Sequence, residues 1–495
     1  MIDNFIAGSV ALFGDPFTIG IFVFGVIGGM LFGAIPGVSM LTLAAILLPF
    51  TASLDPAQGV MLFAVIYCTG TYGGAITAIL FNIPGAPDNA PTAFDGYPMT
   101  RKGQSGKAVG AAVLCSAIGG ISSALVMMAA TEPLANWAIS NIGPPEIFAL
   151  VFFGLAVASS VGGRTLWKGW MSVLLGLLIA TIGQDPVGGI NRYNFGFSDL
   201  AAGIAFVPAI LGFFAVSEIF VQAEKKAIGM YEAPKLSLDF PTILELWTHK
   251  IAVVRSILVG FFCGILPGIG ATLAAFMGYG EAVRWSKNKE SFGKGNLEGV
   301  ISSETANNAA TGAAMIPLLA LGLPGGALTA MMVAVFQMHD LEPGPLVFYN
   351  SPDLIWIVFA AMFYANVSIL FIGLIETKTI LYLLKIPFQF LAPMILLLAS
   401  IGSYIGRGLV LDVMVMFISG IMGFLLRRSG YSIPGIVLGI ILGKIGEQNF
   451  AQGMQMVHYD LLEYLSRPIC LLLIVAGSLT LLAGIYKALS FSFKS

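Results

Sequence analysis

The feature that most constrains this chain is a series of long apolar stretches without one charged residue. Examples are residues 16–54, 56–87, 305–338 and 354–375. A helix needs about 20 apolar residues to cross the hydrocarbon core of a bilayer. Only 10% of the 495 residues are charged, whereas a soluble chain carries about a quarter because its surface faces water. The sequence therefore predicts an all-α polytopic membrane protein embedded in a lipid bilayer.

The charged residues and the cysteines restrict the partners and bound groups that we expect for this protein. No basic tract points to nucleic acid as a partner. The four cysteines lie inside apolar stretches without C-x-x-C spacing, so we expect buried hydrophobes rather than disulfides or metal ligands. The start, Met1–Asn4, lacks the positive charge of a signal peptide, and we expect no cleaved leader.

Short motifs recur along the chain at a nearly constant spacing. The spacing is 231 residues for the first pair, 240 for the second and about 243 for the third. In chain order the pairs are Gly33–Ser39 with Gly264–Gly270, Asn82–Gly85 with Gly322–Gly325, and Pro145 plus Gly163–Arg164 with Pro387 plus Gly406–Arg407. Several matches in the same order indicate a duplicated unit.

The charges of equivalent loops indicate how the two units are oriented. In the first half the loop at 51–59 has no Lys or Arg, while the next, 95–107, has three. In the second half the order is reversed, because 281–294 has four and the loop around His339–Glu342 has none. Short cytoplasmic loops carry the excess of Lys and Arg. The pattern predicts two inverted-topology repeats, a common plan of secondary transporters.

A long polar stretch separates the two units. We expect a first membrane repeat over 1–223, a cytoplasmic linker over 224–250 and a second membrane repeat over 251–466. Residues 467–495 are expected to add a C-terminal transmembrane helix and tail.

Each repeat begins with an apolar segment interrupted by Pro-Gly, at 17–50 and at 256–280. The flanking charges place both ends of each segment on one side, which favours a hairpin that enters the membrane and returns. The alternative is a single crossing with the linker assigned to the wrong side. Proline and glycine at such a break free backbone groups, and the freed N–H groups suit an anion while carbonyls suit Na⁺. Simple helix kinking is the other interpretation.

A second polar constellation follows in each repeat. Glu304, Asn307, Asn308 and Thr311 are spaced i, i+3, i+4 and i+7, so they share one face of a helix. Such a face is unsuited to lipid and should meet protein or water, although hydrogen bonding between helices would also explain it. The Pro-rich break containing Asp88 could hold a cation or form only an Asx-turn.

These considerations give two predicted sets of site residues. The residues predicted to bind substrate are Pro36, Gly37, Ser39, Thr42, Asn82, Gly85, Gly268, Thr272, Asn308, Thr311 and Gly325. The residues predicted to couple an ion are Asp88, Asn89, Glu304 and Asn307.

Other function classes find little support. The Gly439–Ile445 segment is one residue short of a Walker A motif and lacks its Ser or Thr, so transport should be driven by an ion gradient rather than ATP. The predicted spans contain no histidine and no paired carboxylates, which argues against an intramembrane enzyme. A standalone carrier or channel remains an alternative.

Several long motifs carry a family resemblance. GAIPGVSMLT, YGGAITAILFNIPGAPDNAPTAFDGYPM and SSETANNAATGAAMIPLLALGLPGGALTA closely resemble the large membrane subunit of bacterial tripartite tricarboxylate transporters, the TctA family. The resemblance extends over nearly the whole chain.

The resemblance implies more than the residues alone predict. It implies a permease subunit in the bacterial inner membrane, working with a small membrane subunit of about four spans and a periplasmic substrate-binding protein. It implies import of a carboxylate, with citrate as the default, driven by Na⁺ or H⁺ and without any other cofactor. Analogy with other paired-hairpin carriers implies an elevator-type cycle. An oligomer of the membrane complex is left open.

Overall fold

A computed structural model describes residues 1–35, 39–161, 166–185, 188–224, 241–266, 270–383 and 388–492. The first part of the chain forms α1 (Ile2–Gly14), α2 (Pro16–Ala34), α3 (Met40–Leu47), α4 (Pro56–Phe81), α5 (Ala90–Arg101), α6 (Ser105–Asn141), α7 (Pro144–Val161), α8 (Leu166–Ala180), the strands β1 (Gly183–Gln184) and β2 (Asn191–Arg192), α9 (Phe206–Ile210) and α10 (Ser217–Glu224). A 3₁₀ turn over Leu48–Ser53 extends α3, and a π-helical turn over Leu211–Val216 joins α9 to α10.

The second part of the chain is helical as well. It forms α11 (Ile243–Thr248), α12 (Lys250–Ile265), α13 (Gly270–Trp285), α14 (Leu297–Leu321), α15 (Ala327–Met338), α16 (Val347–Asn350), α17 (Pro352–Leu383), α18 (Phe388–Ile405), α19 (Val410–Arg428), α20 (Ile433–Met456), α21 (Leu461–Ser466) and α22 (Pro468–Ser492).

The length and apolar character of these helices confirm the predicted all-α polytopic membrane fold. Within the described residues, six helical segments are long and apolar enough to cross a membrane. They are Pro16–Ala34, Pro56–Phe81, Ser105–Asn141, Phe206–Glu224, Pro352–Gly373 and Val410–Arg428. All four cysteines are buried and free. The division into two inverted repeats, and its boundaries, stay predictions.

The helices pack as two bundles. A central bundle contains α1–α6 and α12–α17, with α4 and α14 buried along nearly their whole length. A flanking bundle contains α7–α10 and α18–α22, in which α20 packs on α7 and α8 and α19 packs on the π-helical turn. The bundles meet where α3 packs against that turn and α18, and where Val157 of α7 packs against Cys263 and Ala271.

The first broken segment begins with a helix that follows α4 closely. A Cβ atom built on Gly25 would lie 3.1 Å from the Leu62 side chain, and one built on Gly33 would overlap the Gly70 carbonyl. The residue numbers of α2 and of α4 therefore increase in the same direction along the contact. Helix α2 therefore runs parallel to α4, and its glycines allow close approach of the two backbones.

The second arm of this segment follows α4 in the opposite direction. Met40 packs against Gly70, whereas Thr51 lies 3.4 Å from a Cβ built on Gly59. The two arms are therefore antiparallel, as the hairpin interpretation requires. The predicted tip residues Pro36 and Gly37 lie outside the described residues.

The second broken segment is also antiparallel. Arg255 Nη1 donates a hydrogen bond of 3.3 Å to the Glu281 carbonyl oxygen, and the Cys263 and Met277 sulfur atoms are 3.7 Å apart. These contacts pair the start of α12 with the end of α13. Helices α12 and α13 therefore run in opposite directions, as the hairpin interpretation requires. The predicted site residue Gly268 lies outside the described residues.

One buried carboxylate ties the two parts of the central bundle together. Asp95 on α5 accepts hydrogen bonds from the backbone N–H groups of Gly295 and Asn296, each at 2.8 Å, and from the Tyr279 hydroxyl at 2.9 Å. These donors lie on α13 and on the connection to α14, between 184 and 201 residues away in sequence. Asp95 is fully buried, so this contact holds α5 against α14.

We expect Asp95→Ala to destabilise the protein by about 3 kcal/mol, because three buried donors lose their acceptor. Asp95→Asn, which keeps one carbonyl oxygen, should lose less. The measurement is thermal unfolding in detergent. Unfolding is monitored by the reaction of a maleimide dye with the cysteines, which are buried in the folded protein. Asp353→Ala, at an exposed position, is the control, and an Asp95→Ala chain as stable as this control would contradict the proposed tie.

Candidate functional site

The most polar region of the central bundle surrounds Glu304, in the middle of α14. The Thr92 hydroxyl donates to Glu304 Oε1 at 2.5 Å, and the Ser116 hydroxyl donates to Oε2 at 2.9 Å. Thr92 also lies 3.0 Å from the Ser303 hydroxyl. All four residues are fully buried. The carboxyl group is therefore held by hydroxyl groups from α5 and α6 of the first half.

The polar face of α14 continues from Glu304 toward the C-terminal end of the helix. Asn308 donates to the Asn307 side-chain oxygen at 2.7 Å and to the Glu304 carbonyl at 3.1 Å. The Thr311 hydroxyl donates to the Asn308 carbonyl at 2.8 Å. Asn307 reaches across to the Asp88 carbonyl at 3.4 Å. The predicted stripe is thus one connected network that meets the break between α4 and α5.

That break brings Asp88 and Asn89 back toward the middle of α4. Asn89 donates to the Thr71 carbonyl oxygen at 2.8 Å, although α4 continues to Phe81. Gly74 makes this approach feasible, because a Cβ atom there would overlap the Asn89 side-chain oxygen. The chain between α4 and α5 therefore doubles back into the bundle, and it delivers one carboxylate and one amide to the Glu304 region.

Three buried oxygen atoms of the predicted site residues have no hydrogen-bond partner among the described residues: Asp88 Oδ2, Asn89 Oδ1 and Asn308 Oδ1. An unsatisfied buried acceptor costs about 1–3 kcal/mol, so such atoms are rare unless they serve a ligand. None of the ion pairs formed by described residues includes Glu304 or Asp88. Two buried carboxyl groups that are paired with no described Lys, Arg or His, one of which has an unpartnered oxygen (Asp88 Oδ2), suit a bound cation or proton.

The hairpin arms lie against the two Pro-Gly breaks. A Cβ atom built on Gly85 would overlap the Gly33 carbonyl oxygen and lie 2.7 Å from the Gly74 Cα atom. In the second half, a Cβ atom built on Gly270, at the start of α13, would lie 3.9 Å from the Gly325 carbonyl oxygen. Each hairpin therefore meets the break that follows the long helix of its own half.

The long helices α4 and α14 end in the same way. Asn82 and Gly322 both adopt the left-handed conformation, with φ of 57° and 74°. This conformation stops a helix and turns the chain sharply. The spacing of 240 residues seen in the sequence thus matches a repeated backbone feature.

The twelve predicted site residues that the structure describes fall into three sets. Six form or adjoin the buried network: Asp88, Asn89, Glu304, Asn307, Asn308 and Thr311. Gly85 and Gly325 are buried at the breaks. Asn82 is exposed, Ser39 and Thr272 are half-buried, and Thr42 is buried within α3; none of these four contributes a side chain to the hydrogen bonds of the network described above.

Sequence reasoning assigned no role to several residues that the fold brings to this region. Thr92 and Ser116 hold Glu304. Asn366 of α17 is fully buried, and its side-chain oxygen has no hydrogen-bond partner among the described residues. An available signal was the isolated amide of Asn366 inside the apolar stretch 354–375. The hydroxyl groups gave a weaker one, because Ser and Thr are common in membrane helices.

The comparisons with known proteins identify one family and two relatives. Residues 19–438 match the family described as the tripartite tricarboxylate transporter TctA family. The chain is similar to an uncharacterized 52.8 kDa protein in the TAR-I ttuC′ 3′ region of Agrobacterium vitis, with 35% identity over 92% of this chain and 90% of the relative. It is also similar to an uncharacterized protein in the TAR-II ttuC′ 3′ region of the same organism, with 35% identity over 44% of this chain and 90% of the relative. No solved structure matches.

Proposed function

The chain belongs to the TctA family of tripartite tricarboxylate transporters, and we propose that it imports citrate or a related carboxylate by coupling to a Na⁺ or H⁺ gradient. As a member of that family it is a transporter component and not an enzyme. The observation that carries the coupling proposal is Glu304, which is fully buried, bound by two hydroxyl groups and outside every described ion pair.

The coupling cation is proposed to bind among Asp88, Asn89, Glu304 and Asn307. A buried carboxylate without a counter-ion is costly in a low-dielectric interior, so a proton or Na⁺ at Glu304 stabilises the loaded state. The unpaired oxygen atoms of Asp88 and Asn89 add acceptors of the kind that alkali cations use. Release of the cation would leave the negative charge of Glu304 uncompensated. This free-energy difference between the loaded and the empty site couples cation binding to the conformational cycle.

The substrate carboxylate is proposed to bind where helix N-termini meet at the breaks. Helix α13 begins at Gly270 and α15 begins at Ala327, next to Gly326. A Cβ atom built on Gly326 would lie 3.7 Å from the Gly270 Cα atom, so the two N-termini are neighbours. Free backbone N–H groups and the helix dipoles favour an anion there. Asn308, Thr311, Thr272 and Gly325 are the proposed side-chain and backbone contacts on this side.

The proposed cycle is of the elevator type, with inverted halves. Supporting contacts come in equivalent pairs: Asp95 of α5 lies against Gly299 of α14, and Val335 of α15 lies against Gly59 of α4. Both pairs connect the short helix of one half to the long helix of the other. The central bundle is proposed to move as a unit along the flanking bundle, which it meets over α3, α7 and α18.

The proposed assembly follows from the family. A tripartite system contains a small membrane subunit and a periplasmic binding protein in addition to this large subunit. We place the complex in the bacterial inner membrane, with the linker at 224–250 in the cytoplasm. Uptake into proteoliposomes with and without the binding protein tests this assignment, because a standalone carrier or channel would not need it.

We expect Asn308→Ala and Thr311→Ala each to lower carboxylate uptake about tenfold, the effect of losing one polar contact in a buried site. The measurement is [¹⁴C]citrate uptake by the reconstituted three-part complex, at equal amounts of inserted protein. Asn141→Ala, at an exposed helix end, is the matched control. Uptake at the wild-type rate from both network variants would refute a substrate site on this face of α14.

A further inference from the structure

A second polar cavity lies apart from the Glu304 region, in the flanking bundle. It has a volume of about 290 Å³ and lies between α20 and the connection from α8 to α9. Its wall includes Gln184, Arg192, Gly203, Lys444 and Glu447. None of these residues belongs to the predicted substrate or ion sites. The cavity therefore needs an explanation of its own.

Arg192 anchors one wall of the cavity and retains a free donor. Its guanidinium forms two hydrogen bonds with Glu447, at 2.5 and 3.0 Å. This pairing engages both carboxylate oxygen atoms of Glu447. The remaining Nε–H group of Arg192 is buried and has no hydrogen-bond partner among the described residues.

Lys444, an exposed residue on α20, supplies an ammonium group that has no anionic partner among the described residues. Its Nζ atom lies 3.5 Å from a Cβ atom built on Gly203, whose φ of +77° favours glycine. No described carboxylate lies within ion-pair distance of Lys444. The nearby Arg407 donates to the Gly203 carbonyl at 3.3 Å and is paired with Asp412 at 2.9 Å. The neighbouring guanidinium group of Arg407 therefore already has its own acceptors, Asp412 and the Gly203 carbonyl oxygen.

The cavity lies at the end of the protein opposite the linker. Helix α19 begins near Arg407 and Asp412, whereas its last residue, Arg428, pairs with Glu224 at 3.2 Å. Since the linker that follows Glu224 is predicted to be cytoplasmic, the cavity is expected on the outer side.

We propose that this cavity binds the carboxylate group of a small organic anion, with Lys444 as its principal donor and Arg192 Nε as a second donor. Its volume is at the lower end of the range for ligand pockets, about 300–1,000 Å³, which suits an acid of a few carbon atoms. The central network has no ion-paired cation, so the two sites differ in chemistry. The class of anion rests on the proposed transport function, while the site itself rests on the unpaired donors.

The test is equilibrium binding of [¹⁴C]citrate and [¹⁴C]succinate to the full chain in phosphatidylcholine nanodiscs. Binding is measured in the Asn308→Ala background, so that the central network contributes little. Lys444→Gln should weaken binding about tenfold, as expected for loss of one charge-assisted hydrogen bond. Lys444→Arg should stay within about threefold, because the charge is retained. Lys287→Gln, an exposed lysine near the linker side, is the matched control.

Equal binding by Lys444→Gln and Lys287→Gln would overturn the proposal. A lipid phosphate is the other source of an anionic group, and native mass spectrometry with phosphatidylglycerol tests it. Retention of that lipid by the wild type but not by Lys444→Gln, with carboxylate binding unchanged, would also overturn the carboxylate assignment. Lys444-dependent binding without any uptake by the complete complex would leave the cavity site intact and contradict the transport function.

Discussion

Alanine at Glu304 is expected to abolish gradient-driven uptake, with a loss of about a hundredfold or more. The substitution removes the carboxyl group proposed to carry the cation. It also leaves the buried hydroxyl groups of Thr92 and Ser116 without their acceptor, which costs about 1–3 kcal/mol for each group. The measurement is citrate uptake by the reconstituted complex, at equal protein per vesicle.

Glu304→Gln separates the two parts of this effect. The amide keeps the shape and one acceptor oxygen, so the chain should fold and insert nearly as well as the wild type. It has no charge to compensate, so gradient-driven uptake should still be lost. Glu342→Gln, on an exposed loop, is the matched control. Uptake by Glu304→Gln at the wild-type rate and with the wild-type cation dependence would remove Glu304 from the coupling site.

Alanine at Gly85 is the second substitution with a large expected effect. The added methyl group would overlap the Gly33 carbonyl oxygen and lie 2.7 Å from Gly74 Cα. Both neighbours are backbone atoms, so no side chain can rotate away. The first hairpin must then separate from the break between α4 and α5. We expect uptake to fall at least tenfold, because a small misplacement of site groups is enough to lose about two orders of magnitude in rate.

Gly280→Ala is the control for this substitution. Gly280 is a helical residue with no atom within 4 Å of the added Cβ, and alanine is a better helix former than glycine by about 1 kcal/mol. This variant should be at least as stable as the wild type and should transport normally. Wild-type uptake from Gly85→Ala would show that contact between hairpin and break is not needed for transport.

The local parts of the fold could be predicted from the sequence. Proline and glycine at the breaks determine where helices stop, whatever packs around them, so the ends of α4 and α14 near Asn82 and Gly322 followed from the motif. The spacing of Glu304, Asn308 and Thr311 fixed one shared face of a helix. Those residues do form one network.

The partners of that network could not be predicted in the same way. Thr92 and Ser116 are 212 and 188 residues away from Glu304, and no periodicity within a helix indicates which distant helix will pack against it. Asn82 shows that a correctly predicted break does not determine whether its side chain is buried. Its motif placed it at a break, but its left-handed backbone at the end of α4 leaves its side chain exposed. Local sequence determines backbone breaks, while long-range packing decides which side chains meet.

The cavity at Lys444 and the region around Glu304 differ in the kind of polar group that they leave unpaired. In the described part of the chain, unpaired donors line the cavity at Lys444, and unpaired acceptors surround Glu304. Donors suit an organic anion and acceptors suit a cation. A carrier that moves a carboxylate bound near Gly270 and Gly326 together with a cation at Glu304 moves a complex with reduced net charge, which lowers the cost of crossing the low-dielectric core.

The central claim is that carboxylate import is coupled to a cation through the network at Glu304. The most direct measurement is [¹⁴C]citrate uptake into proteoliposomes that contain this chain, the small membrane subunit and the binding protein, with imposed Na⁺ and H⁺ gradients applied separately. The account predicts accumulation against the citrate gradient with at least one of the two cations, and its loss in Glu304→Gln. Uptake that is indifferent to both gradients, or that persists unchanged in Glu304→Gln, would contradict it.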